Sequence, residues 1–278
     1  MRVALTGATG LVGQFVARRL LGDGHALVAL GRPSHWGGEA RPWRLGEPVP
    51  LDGCDALVHC AFAHVPGRYR GGEGDDPAGF LRANLDGTLR LWDEARGLPT
   101  VFLSSRAVYD GQPPGTALHE GLPLAPTSLY GEAKLAAEPP GGASLRATGV
   151  YGPPAPGQRH KWADLFDAFA RGEVVAPALG TEVHGDDVAG AVLRLLAAPP
   201  GPYDCSDLLL DRRDLLAAWS EASGVRGALP PRSDAAVGVM GCDRLRGLGW
   251  RPRGRPRLRE ALTVMAEPRR DAPTGGDR

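Results

Sequence analysis

The 278-residue chain is short of several things, and each shortage closes a route. Its four cysteines, Cys54, Cys60, Cys205 and Cys242, include no Cys-x-x-Cys pair. That spacing argues against a zinc site, and so few thiols make no disulfide framework in a chain this size. They read as free, buried or half-buried thiols. His59 and His64 alone are too few ligands for a metal centre. No run approaches the ~20 apolar residues of a membrane span. An excess of charge is missing too. Lys+Arg and Asp+Glu number 32 each, so nothing favours a polyanion partner such as nucleic acid. Met1-Arg2 runs straight into Val3-Ala4-Leu5, with no room for a signal peptide, and a cytoplasmic location is expected. Ser104-Ser105 has no Gly-x-Ser-x-Gly elbow around it, which argues against a hydrolase.

What is present points to a folded α/β chain. Hydrophobic residues make up 42% and charged residues 23%, which suits a globular core. The 40 glycines and 26 prolines follow no repeat and mark loops. Apolar runs at 3–5, 26–30, 56–60, 100–104 and 143–147 read as buried strands, with one more short strand near 43–45. Helical patterns cover 11–21, 78–96, 128–138, 162–170, 187–198, 213–222 and 258–265. Strands alternating with helices predict a doubly wound parallel sheet, the Rossmann arrangement, with a smaller C-terminal substrate lobe. The expected division is 1–149 plus about 181–200 for the Rossmann domain and 150–180 plus 201–266 for the lobe. Residues 267–278 read as a disordered tail.

Thr6-Gly7-Ala8-Thr9-Gly10-Leu11-Val12-Gly13 carries the pattern G-x-x-G-x-x-G between the first strand and the first helix. Gly7 suits the tight turn, Gly10 a close backbone approach to a pyrophosphate, and Gly13 close packing of helix on sheet. The helix start offers free N–H groups to the phosphates. Gly7, Thr9, Gly10, Leu11, Val12 and Gly13 are therefore candidate cofactor contacts. The second strand ends Ala29-Leu30-Gly31-Arg32, without the carboxylate that would bond an NAD ribose. Arg32 suits a 2′-phosphate, so the reading leans to NADP(H) over NAD(H).

Tyr130 and Lys134 are four apart on a predicted helix and share a face. A cationic Lys beside a phenol lowers the phenol pKa from about 10 and makes it usable as an acid or base. Ser105 ends a parallel strand, at the edge where ligands bind in such sheets, and its hydroxyl suits a substrate oxygen.

These segments together resemble the extended short-chain dehydrogenase/reductases, in the NAD-dependent epimerase/dehydratase family. The likeness runs in family order: the glycine turn, Asp55-Ala56-Leu57-Val58-His59-Cys60-Ala61, Asn84-Leu85-Asp86-Gly87-Thr88, Leu103-Ser104-Ser105-Arg106-Ala107-Val108-Tyr109 and Tyr130-Gly131-Glu132-Ala133-Lys134. It continues through Leu145-Arg146-Ala147, Val150-Tyr151-Gly152-Pro153, Val183-His184-Gly185-Asp186-Asp187 and Leu248-Gly249-Trp250. The resemblance implies Tyr130 as catalytic acid/base and Lys134 as the residue that lowers its pKa and holds the nicotinamide ribose. It implies that Ser105 orients the substrate, and that Ala61 and Ser104 lie along the cofactor. Arg232 falls where relatives place an arginine on a nucleotide diphosphate, and His64 borders the expected active site. A homodimer through the helices at 78–96 and 128–138 is also implied. Departures narrow the reading. Dehydratases carry an Asp-Glu pair where this chain has Arg106-Ala107, which argues against sugar dehydration. The lobe is short for a sugar-nucleotide epimerase. The expectation is an NAD(P)-dependent reductase or epimerase acting on a carbinol or carbonyl carbon of a sugar nucleotide or another small metabolite, with Tyr130 as acid/base. The alternative is a non-catalytic NAD(P)-sensing or scaffold protein on the same fold.

Overall fold

The structure is a computed structural model and describes residues 1–65 and 72–267. The tail expected at 267–278 lies, apart from Glu267, outside the described residues. The first half of the chain lays down β1 (Arg2–Thr6), α1 (Gly13–Gly22), β2 (Ala26–Leu30), β3 (Glu39–Arg41), β4 (Ala56–His59), α2 (Pro77–Leu81), α3 (Gly87–Glu94), β5 (Thr100–Ser105), β6 (Ala117–Leu118) and α4 (Leu129–Ala136). The second half adds β7 (Ala143–Ala147), β8 (Gly149–Tyr151), α5 (Ala163–Ala170), β9 (Leu179–His184), α6 (Gly185–Leu195), β10 (Gly201–Cys205), β11 (Leu208–Asp211), α7 (Arg212–Ser223), β12 (Val239–Met240), α8 (Asp243–Gly247) and α9 (Gly254–Ala266).

Seven strands form a parallel sheet in the order β10-β7-β5-β4-β1-β2-β3. Side chains alternate between its faces, as a pleated strand requires. Val3 and Leu5 of β1, Leu27 and Ala29 of β2, and Ala56 and Val58 of β4 join a core with Phe15 and Val16 of α1 and Val188 and Val192 of α6. Ala4, Val28, Leu30 and Leu57 point the other way, onto Leu91 of α3 and Trp43. Both faces are covered, so the strands read as continuous apolar runs. A third cluster, with Tyr151, Trp162, Phe166, Leu216, Trp219 and Leu262, lies among α5, α7 and α9 beside the small sheet β11-β9-β8.

Several details differ from the sequence reading, each for a physical reason. The helix expected over 78–96 is α2, a wide π-helical turn at Arg82–Asp86, and α3. The wide turn carries the buried Asn84 carboxamide, which pairs with the backbone of Ala63. The strand expected near 43–45 is instead β3, four residues earlier at its start, on the sheet's open edge. An edge strand there is polar and gives no apolar signal, whereas Trp43 is buried in a loop. Residues 201–205, assigned by sequence to the lobe, are the other edge strand of the large sheet. Gly201-Pro202 hides it, since proline is confined to such edges. Met240, Cys242, Leu245 and Trp250, also assigned to the lobe, pack into the large-sheet core.

Candidate active site

Strand order reverses across β1 and β4, and the carboxyl ends of β1, β4, β5 and β7 open into a cleft of about 870 Å³. Ligands bind at such switch points in open α/β sheets. The glycine turn forms one end. Gly7 has φ +69°, and a Cβ there would stand 2.7 Å from Ala61 N. A Cβ on Gly13 would fall 2.0 Å from the Gly7 carbonyl oxygen. Turn, helix and neighbouring strand therefore touch backbone to backbone, an approach only glycine permits. Thr9, Gly10, Leu11 and Val12 line the cleft beside them, with Arg32 at the end of β2 and Ala61 after β4.

Thr6 fastens this end of the sheet. Its Oγ1 accepts from Cys60 N at 3.1 Å and Ala61 N at 3.0 Å, and lies 2.6 Å from His59 Nδ1. With its oxygen accepting twice, the hydroxyl donates to His59 Nδ1, while His59 Nε2 donates to Thr88 Oγ1 at 3.1 Å. That is a neutral imidazole, and burial, with Lys134 adding to it, pushes the His59 pKa down to about 3. His59 is fully buried and serves the core.

Ser105, Tyr130 and Lys134 come together on the same cleft. Ser105 Oγ accepts from Ala107 N at 3.2 Å, which fixes its rotamer and leaves its proton to donate. Ser128 Oγ accepts from Gly131 N at 3.2 Å and starts α4, so Tyr130 stands in the first turn and Lys134 one turn on. Lys134 is buried and donates from Nζ to Leu103 O at 2.7 Å. Burial pushes its ammonium down to about 7, against the opposing pull of Cys60 and Glu138. Burial thus works against the full positive charge that sequence reasoning gives this lysine.

Ser104 also lines the cleft, but its hydroxyl donates to Glu138 Oε1 at 2.7 Å. Glu138 accepts two further bonds from Arg146, at 2.9 and 2.8 Å. Arg146 Nη1 donates to the Tyr109 hydroxyl at 2.8 Å, and Tyr109 donates to Asp204 Oδ1 at 3.0 Å. This buried chain ties the segment just after α4 to β5, β7 and β10 behind the cleft. Burial, with Glu120 adding repulsion, pushes Asp204 up to about 7.

His64 lies on the cleft, with its ring Nδ1 donating to Val65 O at 2.8 Å. Arg232 does not line it: the guanidinium is 2.7 Å from Asp214 on α7 and 65% exposed. The Asp214 carboxylate at the start of α7 accounts for its placement. Other cleft residues escape sequence reasoning. Phe62 packs edge-on against Tyr130, with ring centroids 5.2 Å apart. Lys161 lines the far end, paired with Glu182 of β9. Gln158 Nε2 donates to Thr9 O at 2.7 Å, so the segment after β8 closes over the glycine turn. Only the aromatic at Phe62, one residue past the expected contact Ala61, leaves a trace in the sequence.

A parallel switch-point sheet with a glycine turn and a Ser-Tyr-Lys cleft defines the extended short-chain dehydrogenase/reductase class. Residues 3–204 match the NAD dependent epimerase/dehydratase family, and the chain belongs to it. It is 28% identical over 154 residues to a UDP-glucose 4-epimerase of Lacticaseibacillus casei, covering 50% of this chain and 45% of that protein. A UDP-glucose 4-epimerase of Mycolicibacterium smegmatis is 32% identical over 154 residues, covering 50% of this chain and 49% of that protein. The chain thus spans about half the length of the curated relatives it matches. The structure of the Thermus thermophilus UDP-glucose 4-epimerase in complex with NAD superposes with a TM-score of 0.77 at 25% identity, over 96% of this chain and 99% of that one.

Proposed function

We propose that the protein is an NAD(P)-dependent epimerase or reductase acting at a carbinol or carbonyl carbon, with Tyr130 as acid/base. The observation that carries this reading is the convergence of the glycine turn, Ser105, Tyr130 and Lys134 on one cleft. The residues fit a dinucleotide: the turn allows a backbone approach that a Cβ would obstruct, and Arg32 stands at the adenosine-ribose end. When bound, the nicotinamide supplies hydride chemistry. The chain's own residues do the rest. Ser105 donates to the substrate oxygen, Tyr130 takes or returns that oxygen's proton, and Lys134, when protonated, favours the phenolate and holds the cofactor ribose. Arg32 favours NADP(H), since a guanidinium complements a 2′-phosphate. His64, at the cleft mouth, serves as a substrate contact. A sugar nucleotide is the first substrate to test, on the strength of the relatives' names.

We also assign a homodimer through α3 and α4, which already meet at a bond from Trp92 Nε1 to Ala137 O of 2.8 Å. The reading is tested by following UDP-glucose and UDP-galactose interconversion, and carbonyl-dependent NAD(P)H oxidation, in the wild type and in Tyr130→Phe. Loss of a proton-transfer group costs about 10²–10⁴-fold in rate, with cofactor affinity retained. Undiminished turnover in Tyr130→Phe would contradict the assignment, and no turnover in any assay together with normal nucleotide binding would favour the sensor alternative.

A further inference from the structure

Phe62 holds a place that none of the roles above uses. Its ring centroid is 4.2 Å from Lys134 Nζ and 5.2 Å from the Tyr130 ring. Phe80 of α2 meets it edge-on at 5.5 Å, supporting it from the far side. The backbone beneath is clamped. Asn84 Oδ1 accepts from Ala63 N at 2.7 Å, and Asn84 Nδ2 donates to Ala63 O at 2.7 Å and to Phe80 O at 3.0 Å. A single buried carboxamide on the wide turn thus fixes both polar groups of the residue next to Phe62, together with the carbonyl of the residue that backs its ring. Wide helical turns of this kind recur at functional sites.

Lys134 is enclosed on its other sides as well. The Phe102 ring of β5 lies 4.8 Å from Nζ, and Leu103 O accepts its one hydrogen bond to backbone. Cys60, at the end of β4, and Glu138, just past the end of α4, are the groups whose negative charge would raise its pKa, and His59 of β4 is held neutral beside it. Tyr130 is on its own helix, with its ring centroid 6.0 Å away. Phe62 lies on the cleft, as do Cys60, Leu103 and Tyr130, and it is the ring whose face lies nearest the amine.

We propose that Phe62 is a positioning residue for the catalytic pair: clamped through Asn84, its ring excludes water from Lys134 and keeps the amine directed at Leu103 O beside Tyr130. The role rests on the function proposed for Tyr130 and Lys134. Two opposing effects meet at the ring. Its face attracts the ammonium, while its bulk denies the ammonium water. Burial is the larger, since the amine stands far below the usual lysine range despite the ring. Opening the cover therefore raises the lysine's titration midpoint.

The test reads that midpoint directly. Lys134 in the cofactor-free protein is labelled competitively with acetic anhydride from pH 5 to 11 and quantified by mass spectrometry. The labelling midpoint does not depend on how accessible the amine is. In Phe62→Ala the midpoint is expected to rise by about one pH unit or more. Phe62→Gln keeps more bulk for folding and offers the amine a polar neighbour, and it shifts the midpoint in the same direction. The alkaline limb of the nucleotide-binding pH profile, where the protonated lysine that holds the ribose is lost, should move up with it. An unchanged midpoint in folded Phe62→Ala and Phe62→Gln, or a downward shift, would overturn the proposal. A wild-type protein that binds no nicotinamide nucleotide would remove the proposed function, yet the labelling result would stand by itself.

Discussion

Asp204 carries the clearest residue-scale consequence of burial. Its carboxyl is pushed up to about 7, chiefly by loss of water, although Tyr109 bonds to it. In the unfolded chain an aspartate titrates near 3.9. A carboxyl whose folded pKa is raised binds a proton more readily in the native state. Its stabilising contribution is therefore complete below about pH 4 and lost as pH rises through 7. Asp204→Asn keeps an acceptor for Tyr109 and removes the titration. Thermal melts between pH 5 and 8 should show the wild type losing midpoint relative to this variant as pH rises, and parallel curves would refute the argument. At this scale the sequence is only partly legible. Ser105, Tyr130 and Lys134 are picked out by their place in an ordered series of family motifs rather than by spacing alone, and the fold brings them onto one cleft. The downward push on the Lys134 pKa is not, because it comes from burial among Phe62, Phe102 and Leu103, brought together from β4's end and β5. Arg232 misleads for the converse reason: an arginine's neighbours, here Asp214, are fixed by the fold rather than by adjacent sequence.

Among elements, the contact between the glycine turn and α1 is the tightest constraint on the site. A Cβ on Gly13 would stand 2.0 Å from Gly7 O, and backbone atoms cannot move aside as a side chain end can. Gly13→Ala should cost about 1–3 kcal/mol, as overpacking does, and weaken nucleotide binding. Chemical denaturation with a nucleotide titration checks both; unaltered values would mean that the turn has slack. The first five apolar runs are legible as elements because both faces of the sheet are covered and each strand is apolar throughout. The edge strands β3 and β10 are not, since one carries Glu39 and Arg41 and the other begins Gly201-Pro202. The wide turn at Arg82–Asp86 is equally invisible, because an extra residue in a helical turn leaves the apolar periodicity almost intact.

For the whole molecule, the topology places every cofactor and catalytic candidate on one cleft and leaves the substrate candidate Arg232 off it, with α3 and the end of α4 joined by a hydrogen bond. The dimer proposed through α3 and α4 predicts a sedimentation mass of twice the 29.2 kDa chain, and a monomer at micromolar concentration would contradict it. The central claim, that this cleft holds a nicotinamide dinucleotide beside Tyr130 and Lys134, is tested most directly by titrating the purified, nucleotide-stripped protein with NADPH and NADH. The account predicts saturable binding of one nucleotide per chain, tighter for NADPH, with Arg32→Ala losing that preference. Binding of neither nucleotide would contradict it.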